Sequence, residues 1–124
     1  MLYAILCYHS EAVVGAWSKE EDEAVMGRIA EVKTKMAAQG RLGPNLRLLP
    51  TTAAVTLKKS VEPPLVLDGP FAETKEQLLG LYVVDVASLD EALETARELG
   101  KANPGGSYEL RPIGYYDPAS PPAS

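Results

Sequence analysis

His9 is the only histidine in the chain and the only side chain whose ordinary titration lies near neutral pH, which makes it the first candidate to move a proton. Strand alternation puts Cys7 on its face. That permits a Cys/His pair in which the imidazole lowers the thiol pKa. The plainer reading is a buried, inert thiol beside a strand-end histidine, since a two-residue rise of roughly 6.5 to 7 Å makes contact depend on the rotamers. A second group of reactive types lies in "LVLDGPFAETKEQLLGLYVVD", Leu65 to Asp85, where Asp68, Glu73 and Lys75 fall within a few residues of one another. A carboxylate desolvated by Phe71 and Tyr82 can serve as acid or base, and Lys75 can hold an anionic substrate. The candidate catalytic residues are therefore His9 and Asp68, and the candidate ligand-binding residues are Glu73, Lys75 and Tyr82.

The same loop has a structural reading. Asp68-Gly69 favours a turn, Pro70 fixes the next φ, Phe71 plugs the core beneath, and Thr74 caps a single helical turn over Lys75 to Gln77. Other chemistries lack their parts. One histidine and one cysteine are too few nitrogen and sulfur ligands for a structural zinc site, so no metal is expected. "GRLGP" and "NPGGS" have neither the spacing nor the strand-to-helix setting of a phosphate loop, and there is no nucleophile elbow. No cofactor is called for. Trp17, Tyr82, Tyr108, Tyr115 and Tyr116 can line a pocket, although core and interface are the commoner roles of aromatics.

These residues need a scaffold. At 124 residues, with 46% hydrophobic and 23% charged, the chain has the length and composition of one soluble domain. Acids outnumber bases 17 to 12, which opposes association with nucleic acid or anionic membranes. A lone cysteine, a start without signal-peptide character and no long apolar run point to the cytoplasm.

Leu2 to Tyr8 reads as a strand, with His9 at its exit. Ser18 and Glu21 have capping-box spacing, and Val25, Ile29, Val32 and Met36 form one stripe of a long helix ending near Gly40. Arg41 to Pro44 reads as a loop. Leu46 to Leu57 is β-favouring but interrupted by Pro50, and its Ala54 to Leu57 end pairs as a hairpin with Leu65 to Leu67. Gly80 to Val86 is the clearest strand. Ser88 and Glu91 start a second helix along Leu89, Ala92, Leu93, Ala96 and Leu99, closed by Gly100, and Ser107 to Ile113 makes the last strand. Arg111 shares a face with Glu109, where an ion pair is expected. The order predicts an α+β, ferredoxin-like (split βαβ) antiparallel sheet with two helices on one face. The other face, also apolar, needs a second copy to cover it, hence a homodimer.

The words "LDGPFAETKEQLLGLYVVDV", "SLDEALETA" and "YELRPI", with the opening "MLYAILCYHS", resemble the YCII-related proteins of the DGPF type, over a domain spanning residues 1–116. Residues 117–124 then form a loose tail. The resemblance implies a dimeric α+β barrel. It also implies an association with sigma factors of the extracytoplasmic-function class, beside which many such proteins look to be encoded. The wider group has been proposed to contain enzymes on the basis of a histidine and aspartate pair, the histidine early in the first helix. Here that stretch is KEEDEAVMGRIAEV, without histidine, so the pair is not carried over. Two functions follow as expectations. One is binding of a small polar or anionic ligand, with lyase- or isomerase-type acid/base chemistry. The other is a noncatalytic regulatory module touching a sigma factor.

Overall fold

The structure, a computed structural model, describes residues 1–119. In chain order it contains β1 (Leu2–His9), α1 (Glu11–Gly15), α2 (Lys19–Ala38), β2 (Leu42–Arg47), a 3-10 turn (Thr51–Ala53), β3 (Val55–Lys58), β4 (Leu65–Asp68), β5 (Gln77–Asp85), α3 (Leu89–Ala102) and β6 (Ser107–Pro112). Four strands form one antiparallel sheet in the order β2-β5-β1-β6, and β3 and β4 form a separate two-stranded hairpin. This α+β arrangement is compatible with a ferredoxin-like fold. The loose tail expected over 117–124 lies outside the described residues from 120 onward.

The ends of α2 follow from local chemistry. The Ser18 hydroxyl accepts from the Glu21 N–H at 3.1 Å while the Glu21 carboxylate accepts from the Ser18 N–H at 3.3 Å, closing the expected box. At the other end Gly40 sits at φ +70°, and the N–H groups of Gly40 and Arg41 return to the carbonyls of Ala37 and Met36. A residue with a Cβ would be strained there, so the glycine both ends the helix and turns the chain into β2.

One face of the sheet is covered. Tyr3, Ile5 and Val84 pack with Met36 of α2 and with Ala92, Ala96 and Leu99 of α3. A smaller cluster of Val25, Ile29 and Ala102 gathers Trp17 and Tyr82 around it. The stripe read on α2 is therefore its buried face, with Val25, Ile29 and Met36 buried. By alternation Leu2, Leu6, Leu81 and the buried Val83 point to the opposite face, against which no helix packs among the described residues.

The structure corrects several local expectations. Among the described residues there are three α-helices, because Ser10 caps a five-residue helix at Glu11–Gly15 by accepting from the Val13 N–H. Arg41 to Pro44 is not a loop: β2 begins at Leu42 and tolerates Gly43 and Pro44 because it is an edge strand with an irregular register. The expected helical turn at Lys75 to Gln77 is absent, since Gln77 already pairs with His9 as the start of β5. α3 runs past Gly100 to Ala102. Phe71 does not plug the core; it is 90% exposed. Glu109 and Arg111 are both exposed and make no ion pair among the described residues.

Candidate functional site

At the His9 end of the covered face, α2 and the sheet part enough to leave a cavity of about 100 Å³. It is of the same order as the dry cavity of about 150 Å³ that accepts benzene. Its wall includes Cys7 and His9 from β1, Trp17 before α2, Asp22, Val25 and Ile29 from α2, Arg47 from β2, Tyr82 from β5 and Tyr108 from β6. Apart from Asp22, the side chains that α2 gives to the wall are apolar, whereas the sheet gives both polar and apolar ones, Leu46 and Leu79 among the latter.

His9 is held from several sides. Its Nδ1 accepts from the Ser10 N–H at 2.8 Å, which leaves Nε2 to carry the proton of the neutral ring. Trp17 stands edge-on, with ring centroids 6.2 Å apart at 85°. Gly105 and Gly106, at φ +84° and +77°, pass close over the ring, so that a Cβ at Gly105 would lie 2.7 Å from Nε2. The turn after α3 therefore needs glycine for conformation and for space.

Deeper in, Tyr108 lies directly across from Cys7 on β6, and Tyr82 lies opposite Ile5 on β5. Burial pushes the Cys7 thiol up to about 12 and raises both phenols, each also opposed by the neighbouring Cys7. All three are neutral in ordinary buffers. The thiol is not activated by His9; its Sγ turns to the Ile5 carbonyl at 3.7 Å. Asn103 donates to the Tyr108 hydroxyl at 3.4 Å, which leaves the phenol's own proton free to donate. At the rim Arg47 pairs with Asp22 at 3.2 Å, with both side chains partly exposed.

The residues read from the sequence divide between two places. His9 and Tyr82 share this cavity, whereas Glu73 lines a more open cleft of about 380 Å³ with Thr51, Gly69, Pro70, Thr74 and Gln77. Asp68 closes β4 on the hairpin, and neither it nor the exposed Lys75 lines either space. The two spaces share a bracket. Glu11 accepts from both the N–H and the hydroxyl of Thr51 at 2.7 Å, and its own N–H donates to the Gln77 side chain at 2.9 Å. Asp22 and Arg47 escaped the sequence reading: Asp22 is one of several acids in the first turn of α2, and Arg47 meets it only through the fold. Trp17 and Tyr108, read only as aromatics able to line a pocket, do so.

Residues 1–115 match the model of the YCII-related domain. Among curated proteins the chain is similar to an uncharacterised protein of Rhizobium meliloti (strain 1021), with 59% identity over 124 residues, 99% of this chain and 100% of the relative.

Proposed function

The chain belongs to the YCII-related family, and within this fold we propose that it binds a small molecule in the cavity between α2 and the sheet. In this reading His9 moves a proton in cofactor-independent lyase- or isomerase-type chemistry. One observation carries it: the sole histidine, with its Nδ1 occupied by backbone, borders the same half-enclosed cavity as two partly buried, neutral phenols. Preorganised donors, the Nε2–H of His9 among them, stabilise charge that develops on a substrate oxygen, and to act as a base at Nε2 the imidazole must first shift its proton to Nδ1 and release the Ser10 N–H. Tyr82 is the ligand-binding residue of this site. Glu73 takes an accessory place at the second cleft, while Asp68 and Lys75 lie on the hairpin and its loop next to lining residues in the chain but outside the cleft wall.

The working unit in this reading is a homodimer closed into an α+β barrel. It is supported by the uncovered face of the four-stranded sheet, where Leu46 is half exposed beside Leu81. It is supported too by the hairpin, which exposes Val55, Leu57 and Val66 on one side and Leu65 and Leu67 on the other. That hairpin also favours the second reading, a regulatory module that touches a sigma factor. The test is twofold. Sedimentation at micromolar concentration should give a dimer, and a monomer refutes the barrel. A fragment screen by 1H–15N NMR should shift the Trp17 indole and the amides around Tyr82 and Tyr108. Shifts confined to residues 69–76 would move the site to the second cleft. Once a turned-over compound is found, His9→Gln should abolish turnover with the fold intact.

A further inference from the structure

We propose that the inner wall of the cavity is a hydrogen-bond-donor site for a small uncharged molecule bearing a carbonyl-type oxygen, held by the hydroxyls of Tyr82 and Tyr108. The inference rests on the cavity reading above and adds the class of ligand. It follows from which groups have protons to give and which have lone pairs to spare.

Tyr108 receives the Asn103 amide, so its remaining bond is one of donation. Tyr82 has no side-chain hydrogen bond among its interactions with the described residues, and it reaches the cavity from the strand on the other side of β1. His9 has its acceptor nitrogen filled by Ser10, leaving an N–H. The Cys7 thiol is spent on the Ile5 carbonyl. Apart from the Asn103 amide oxygen and the Asp22 carboxylate, the polar side chains of the wall thus present donors, and a guest satisfies them with an oxygen acceptor.

Formal charge is kept at the rim. Asp22 and Arg47 neutralise each other at 3.2 Å, with side-chain exposures of 38% and 52%, and the deeper wall has no cation to accompany an anion. A carboxylate driven to the phenols would lose its hydration without a counter-charge, whereas a ketone, aldehyde or ester oxygen loses far less. The size of the cavity and its aromatic sides, Trp17, Tyr82 and Tyr108, suit a single ring. This narrows the polar or anionic ligand expected from Lys75 to a neutral acceptor.

The test uses three probes of one shape: acetophenone, toluene and benzoate. Trp17 is the chain's only tryptophan, so its indole N–H is a single NMR reporter on the cavity wall. Acetophenone should bind about tenfold more tightly than toluene or benzoate, as expected for two modest hydrogen bonds. Tyr82→Phe and Tyr108→Phe should each weaken acetophenone about 3- to 10-fold and leave toluene unchanged. Benzoate binding as tightly as acetophenone, or acetophenone binding unchanged in both phenylalanine variants, overturns the donor site while the cavity reading stands. If no probe moves the Trp17 indole, the donor site and the cavity reading fall together.

Discussion

Alkylating Cys7 in the native protein measures how dry the inner end of the cavity is. Burial moves the thiol from an ordinary 9.0 to about 12. At pH 8 the thiolate fraction then falls from about one tenth to about one ten-thousandth, roughly a thousandfold loss of the reactive species. A more basic thiolate is intrinsically a better nucleophile, and a Brønsted slope of 0.4–0.5 over that interval returns about twentyfold. The net expectation is alkylation about 50-fold slower than in the unfolded chain, before any steric shielding. Iodoacetamide kinetics followed by mass spectrometry, with and without denaturant, give the ratio. The logarithm of the native rate should climb with unit slope from pH 7 through pH 10, without levelling near 9. A rate equal to that of the unfolded chain, or a plateau near pH 9, refutes desolvation, and only a plateau well below 9 restores the activated Cys/His pair.

The same displacement fixes a trend in stability. The unfolded thiol releases its proton first as pH rises, so the contribution is full below pH 9, declines between 9 and 12 and is gone above the folded value. It is about 4 kcal/mol at most and less for the partial exposure of Cys7. Tyr82 and Tyr108 act in the same direction at higher pH.

Glu11→Ala should remove the acceptor of both the N–H and the hydroxyl of Thr51, costing about 1 to 3 kcal/mol by urea denaturation, with faster amide exchange at Thr51. Unchanged exchange there would mean the bracket is not formed in solution. Gly80→Ala places a Cβ against the backbone carbonyl of Leu46, so β2 must move off β5, and a loss of about 2 to 4 kcal/mol is expected. A variant as stable as the parent would refute that close approach.

Much of the scaffold was legible because it is written in local signals. Capping pairs at Ser18/Glu21 and Ser88/Glu91, the Val25-Ile29-Met36 stripe, the apolar β5 and the hairpin pairing of Val55 to Asp68 all depend on neighbours within a few residues. What was missed depends on distant partners. β2 has the composition of a loop, Leu-Gly-Pro-Asn-Leu-Arg, and is a strand because β5 offers it an edge. α1 is too short for a periodic stripe to show. Phe71 looks like a core residue by type, yet nothing among the described residues lies over it. The site divides the same way: His9 and Tyr82 were readable as a titratable strand end and a buried aromatic, whereas Asp22 and Arg47 are 25 residues apart and become a pair only once β2 lies beside α2.

The bracket at Glu11 makes the route from hairpin to imidazole very short. Thr51 leads the 3-10 turn that feeds β3, Gln77 receives the chain returning from β4, and both are gripped by a residue two positions beyond His9. The arm formed by β3 and β4 is therefore tied by two side chains to the same peptide segment that orients the ring, so a displacement of the arm would reach the imidazole through one mechanical joint.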